Sequence, residues 1–316
     1  MLKNLFLFCF VVSMSSNLQA QFGFGKIEDI NALKERTLLV EMKEPSEKTL
    51  KKLRKKPKEL QAYKQAVINY NDGLKKVFNK EWNMSKDVEF VSLDRINEVS
   101  NDKKLRKQYA YFKAFIRTKP LSSSMGSIPM YTYNVGLLEN RKPIYTTLYS
   151  SFNGFSEADA IIVTNLFENY FKNRVLLKTS DKSRRQIKKE FKQKVKILKT
   201  KTLYIDKEFV TDRLIRKIKD IYNYDYKLVD NQEMEKAIVN KTEDVVYVKS
   251  IPVSQTSQKS GALKVSKEIY MQYFFDADNG EIVTYSRPSA NLGVIGDSGL
   301  KLSVKDLKKI SKNIEK

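Results

Sequence analysis

One order of elements occurs twice along this chain, and a duplicated order restricts the fold to like units placed in tandem. The match appears when residues 34–152 are laid beside residues 198–287. Each copy opens with a strand behind a basic residue: Thr37-Leu38-Leu39-Val40-Glu41 follows Arg36, and Thr202-Leu203-Tyr204-Ile205-Asp206 follows Lys201. A helix comes next, carried by Leu74, Val77 and Phe78 with Trp82 beyond, and by Leu214, Ile215, Ile218 and Ile221. Those spacings place the apolar side chains on one helical face. Second strands are expected at residues 88–93 and 226–230, short helices around 95–99 and 232–239, and third strands at 109–116 and 245–251.

Pro120-Leu121-Ser122-Ser123 and Pro252-Val253-Ser254-Gln255 then stand at the same place in the two copies, each leading into Ser- and Gly-containing sequence. Proline followed by such residues predicts a mobile connection, so 120–128 and 252–263 are read as loops. A two-stranded segment closes each copy, 130–135 with 144–149 and 269–275 with 281–285, the latter across Asp278-Asn279-Gly280. Asn-Gly between apolar strands is a strong hairpin signal.

The first copy carries an insertion from Pro45 to about Asn71, and Asn71-Asp72-Gly73 is expected to break its helical region in two, since glycine costs about 1 kcal/mol in a helix interior. Between the copies, 156–176 and 183–198 read as helices, the first with Ser156 placed as an N-cap. After Tyr285 a stretch with Gly293, Gly296 and Gly299 precedes a short helix with Val304, Leu307, Ile310 and Ile314 on one side, expected to dock on its own core. The fold class that follows is α+β: two tandem strand-helix-strand-helix-three-strand units joined by a helical connector. The expected segments are 1–20, 21–152, 153–197, 198–287 and 288–316.

Residues 1–20 have the form of a cleavable secretory signal: Lys3, an apolar core from Leu5 to Val12, and Leu18-Gln19-Ala20 before Gln21. The core is too short to span a bilayer, which takes about 20 apolar residues in a helix. Cys9 is the only cysteine and leaves with this segment. The exported protein, periplasmic or extracellular and soluble, therefore relies on buried apolar surface and not on disulfides.

The absence of histidine removes the commonest general base and metal ligand. With no cysteine after residue 9, thiol catalysis and ordinary zinc sites are excluded too. Gly296-Asp297-Ser298-Gly299 resembles a serine-protease nucleophile segment but has no histidine to serve it. Ser298/Lys301 and Ser100/Lys103 have serine-lysine spacing without the accompanying motifs. Asp276 to Glu281 fits a hairpin turn better than a calcium loop, whose twelfth position would be Arg287. No phosphate-binding loop occurs. These residues point to a non-enzymatic protein with no cofactor and no metal.

Basic residues number 59 against 37 acidic ones, a net charge of +22, which favours anionic partners. The charge is spread along the chain. One run, Arg184, Arg185, Lys188, Lys189 and Lys192, lies on a predicted helix and is the candidate anion-binding face, for lipopolysaccharide, an acidic glycan, nucleic acid or a membrane surface. No specific nucleic-acid motif accompanies it.

The order of a helix from Leu74 to Trp82 leading into residues 88–93 resembles the small amino-terminal α/β module of TolB-type periplasmic proteins. The resemblance is one of topology, and the β-propeller of that family has no counterpart here. It implies a binding or assembly role at the cell envelope and transfers no site residue. The first functional expectation is thus an exported protein that mediates protein interactions or assembly with an envelope protein, through Pro120, Ser122, Ser123, Pro252, Ser254 and Gln255. The second is a basic binder of anionic polymer or lipid headgroups. Amino-terminal sequencing of the exported protein is expected to begin at Gln21, and a start at Met1 would overturn the reading of the leader.

Overall fold

A computed structural model of the chain describes residues 22–120, 127–260, 263–286 and 299–316. The first sheet contains β1 (Phe22–Gly23), β2 (Thr37–Glu41), β3 (Asp87–Val91), β4 (Tyr109–Pro120), β5 (Ser127–Leu137) and β6 (Tyr145–Ser150). The second contains β7 (Thr202–Asp206), β8 (Tyr226–Val229), β9 (Val245–Ser260), β10 (Leu263–Asp276) and β11 (Ile282–Ser286). Their orders are β1-β6-β5-β4-β2-β3 and β11-β10-β9-β7-β8. With the two-residue β1 set aside, the orders coincide position by position.

The pairing directions coincide as well. In each sheet the first strand lies between two parallel neighbours, β2 between β3 and β4, β7 between β8 and β9, and the remaining pairs are antiparallel. Parallel neighbours need crossover helices. These are α3 (Pro57–Lys80) and α4 (Leu93–Asn101) in the first unit and α7 (Asp212–Ile221) and α8 (Asn231–Val239) in the second. α1 (Ile27–Lys34) and α2 (Glu47–Leu53) are additions to the first unit. The connector consists of α5 (Glu157–Thr179) and α6 (Arg184–Gln193), and α9 (Val304–Ile314) ends the chain.

Two local expectations need correction. α3 runs unbroken through Asn71-Asp72-Gly73, because Asn71 and Gly73 are fixed by tertiary contacts. Asn71 accepts from the Lys43 amide (2.8 Å) and donates to the Lys43 carbonyl (2.9 Å). Gly73 is where α3 meets the start of α5: a Cβ there would lie 3.3 Å from the Ser156 carbonyl oxygen. The glycine thus permits close helix approach, which outweighs its propensity cost of about 1 kcal/mol.

The second correction concerns the segment after each third strand. Pro252, Ser254 and Gln255 are not in a loop: β9 continues to Ser260, paired with β10 throughout. The register shifts opposite Pro252 and Ser254, leaving Val253 as the extra residue of a bulge. β9 pairs with β7 only as far as Tyr247, so Pro252 also lies on a free edge. Edge and bulge are the two places where a strand tolerates proline. Pro120 ends β4 opposite Ser127, and Ser122 and Ser123 lie outside the described residues.

Both sheets close on one core, and α5 runs through it. Every residue from Ala158 to Thr164 is buried, as are Leu166, Phe167 and Phe171. A helix apolar on all sides belongs inside a protein. α3 and the first sheet lie against it, and so do α8 and the inner face of the second sheet. A second cluster on the far face of the second sheet joins α7 to α9, whose Leu307, Ile310 and Ile314 are fully buried. The terminal helix therefore docks on its own chain. Because one core serves both sheets, Phe167→Ala is expected to cost about 3–5 kcal/mol while thermal unfolding stays a single transition. Two separated transitions would show that the units are stable independently.

Candidate functional site

The carboxyl end of the central parallel strand carries an acidic residue in both units, Glu41 on β2 and Asp206 on β7, and both are buried. β2 starts opposite Tyr109 of β4 and β7 starts opposite Val245 of β9. Counting from those pairs, Lys113 and Lys249 occupy equivalent positions beside the two carboxylates. Sequence reasoning passed over both lysines. The signal available was a lysine four residues into each third strand, on the side that otherwise carries Tyr109 and Tyr111 or Val245 and Tyr247.

The surroundings of the two lysines differ. In the second unit Asp206 accepts from the Glu208 amide (2.9 Å), and burial raises its carboxyl pKa while that hydrogen bond and Lys249 oppose the shift. Lys249 also approaches a second carboxylate: its Nζ is 4.0 Å from Asp159 Oδ1. Asp159 closes the capping box of α5 with Ser156 and is held by Tyr149 Oη and by Ser151 Oγ (2.8 Å). Lys249 thus stands between two acids.

In the first unit Glu41 is already occupied. It accepts from the Ala114 amide (3.0 Å) and from Lys43 Nζ (2.5 Å), and Lys43 donates as well to the Ala114 carbonyl. These two side chains continue the ladder past Val40 and Phe112, where the β2–β4 pairing ends. Lys113 is half-buried next to them. Desolvation lowers its pKa, Glu41 raises it, and the Lys43 charge lowers it again. Lys43, Lys113 and Glu41 together carry one excess positive charge.

The sheet faces around the two lysines also differ. In the second unit Tyr247, Lys249 and Ile251 of β9 pair with Phe275, Tyr273 and Met271 of β10, and all of these side chains but Lys249 join the shared core around α5. In the first unit the corresponding pairs are Tyr111 with Gly136, Lys113 with Asn134 and Phe115 with Thr132. The Tyr111 ring covers Gly136 so closely that a Cβ there would lie 2.8 Å from its hydroxyl. The Lys113 ammonium lies 5.3 Å from the centre of the same ring. Phe115 is 64% exposed. Two positions on, Arg117 Nη2 reaches Glu268 of β10 at 3.0 Å.

Of the expected anion-binding residues, Arg185, Lys189 and Lys192 are exposed on α6. The helix is held to the protein by Phe191, whose ring is 5.9 Å from that of Tyr285 on β11. The backbones of Arg184 and Lys188 belong to the same helix. An open cavity of about 490 Å³ lies at the opposite end of the first unit, lined by Arg36, Lys86, Lys107 and Glu35 among others, and its Arg36 is paired with Glu139 at 2.6 Å. Among the described residues no group of three or more acidic side chains is placed to hold a metal ion, and no helix is long and apolar enough to cross a membrane.

No protein-family model, curated protein or solved structure matches the chain.

The Lys113 pKa yields a stability prediction. A lysine whose folded pKa lies below its unfolded value destabilises the fold while charged, and the deficit is relieved as pH rises toward the unfolded value near 10.4. Lys113→Met is therefore expected to stabilise the protein at neutral pH. The gain should be no more than about 1 kcal/mol, because the group is half-exposed, and it should shrink toward pH ~10. Chemical denaturation of both proteins across that range measures it; a variant less stable at pH 7 would contradict the assignment.

Proposed function

We propose that this protein is a non-enzymatic, exported interaction or assembly module of the cell envelope, and that its partner surface is the uncovered face of the first unit. The observation that carries this reading is the asymmetry of two like sheets. The face buried in the second unit by α5 and β6 is open in the first, where Phe115 stands 64% exposed and Leu93 of the flanking α4 44% exposed. Large apolar side chains at such exposure, on a rigid sheet and beside a flanking helix, are characteristic of binding surfaces. Neighbouring Ile116, on the other side of β4, is 48% exposed, so the outer part of this hairpin offers apolar surface on both sides. The resemblance in element order to the small module of TolB-type proteins points to the same kind of role.

The candidate surface has thus moved from the two connections to the strand that precedes the first of them. Phe115→Glu is expected to abolish co-purification of the protein's partners from envelope extract while changing stability by no more than about 0.5 kcal/mol, as for an exposed substitution. Retention of the same partners by a folded variant would sink the proposal.

A second reading is favoured by α6, which presents Arg185, Lys189 and Lys192 outward from an anchored helix. This face suits an anionic polymer or lipid headgroups, and such binding weakens steeply with salt. Retention on heparin should fall with ionic strength and drop further in the Arg185→Glu, Lys189→Glu, Lys192→Glu triple variant. Retention unchanged by either would remove this reading.

A further inference from the structure

The second unit shows what the common face binds when it is covered. Against it lies the start of an apolar helix, α5, whose first turn carries a carboxylate, and that carboxylate faces the lysine of the sheet. The first unit has the same lysine at the same register position, half-buried, beside an acid already satisfied by Lys43 and the Ala114 amide. We propose that the open face of the first unit docks a protein partner that presents a carboxylate to Lys113 from the first turn of an apolar helix, as Asp159 of α5 is presented to Lys249. This inference rests on the reading of the open face as the partner surface and adds the chemistry of what covers it.

Three observations support that occupant. The first is charge. A half-buried ammonium next to a second ammonium gains most from a third group of opposite sign, and a carboxylate brought in by a partner supplies it as water is excluded. Arg117, two positions further on this side of β4, is paired with Glu268, whereas Lys113 has no ion pair of its own among the described residues.

The second observation is apolar surface around that charge. Phe115 and the Tyr111 ring flank Lys113 on β4, Leu93 is exposed at the start of the flanking α4, and Thr132, opposite Phe115 on β5, is a small residue that leaves room for an incoming side chain. Specific interfaces centre on desolvated apolar contacts, and a charged pair enclosed among them fixes which partner fits.

The third observation argues against a second copy of this chain. The counterpart of α5 in the second unit is α9. It follows β11 as α5 follows β6, opens with the same Ser-x-x-Asp capping box, and has its aspartate held by a serine, Ser286 Oγ to Asp306 Oδ1 at 2.6 Å. Yet the exposed side of α9 carries Lys305, Lys308, Lys309 and Lys312. A head-to-tail stack would bring those lysines toward Lys113, and like charges across an interface are strongly unfavourable. α9 has the polar outer face of a terminal repeat, so the chain is closed at that end and open at the other.

The test places a photo-crosslinking amino acid, p-benzoylphenylalanine, at position 115 of the full-length protein in the cells that export it. It is repeated with Lys113→Arg and Lys113→Glu. The expected result is an adduct with another protein whose crosslinked peptide carries Asp or Glu at the start of an apolar helical segment. Its yield should be retained with arginine and fall about tenfold or more with glutamate. Four outcomes overturn the inference: an adduct indifferent to Lys113→Glu, a peptide without such an acid, an adduct with a second copy of the chain, or an adduct with lipid. Absence of any adduct at position 115 would go further and remove the partner-surface reading itself.

Discussion

Phe167 lies 5.7 Å from the ring of Phe112 in the first sheet and 5.2 Å from that of Tyr145 at the same sheet's far side, with Phe171 one turn on. On the helix that carries it, Ala158 to Thr164 are buried in succession. The burial of α5 is the contact on which the arrangement of the two units depends. An apolar side chain of that size contributes about 1.5–3 kcal/mol when removed from water, and α5 contributes several. Because the helix has no solvent side over its first half, it cannot serve one sheet and leave the other.

That shared burial makes two topologically equal units physically unequal. The second unit's α8 face is sealed by α5 and β6, and its polar contacts were built accordingly: Lys249 meets Asp159, and Tyr273, Phe275 and Met271 fill the space. The first unit's α4 face has no such neighbour among the described residues. It carries Asn134, Gly136 and Thr132 in the matching positions, which limits the apolar surface left to water. Phe115 and Lys113 are the exceptions to that adaptation.

Charge marks the end of the molecule that carries α9. α9 puts apolar residues inward and lysines outward, so its end of the structure favours solvent or anionic surfaces over another copy of the fold. α6 does likewise on the second sheet.

Much of the fold was legible in the residues. The bounds of β2 and β7, the order of all later strands and helices in both units, the N-cap at Ser156 and the docking of the terminal helix follow from local periodicity and capping chemistry, which depend on neighbours close in sequence. What was not legible depended on distant partners. Asn71-Asp72-Gly73 reads as a helix break until Ser156 and Lys43 are seen to require it, and Pro252 reads as a loop until the bulge against β10 and the vanished β7 edge make it tolerable within a strand. The candidate site belongs to this second class. Lys113 and Lys249 look alike along the chain, and only packing decides that one is held between two acids and the other is left with a charge in excess. Sequence by itself determined an α+β chain whose order of strands and helices recurs, without the β1 and α1 that the first unit adds. Tertiary structure decided which of their equivalent faces is closed, because a single helix between two sheets can cover only one of them.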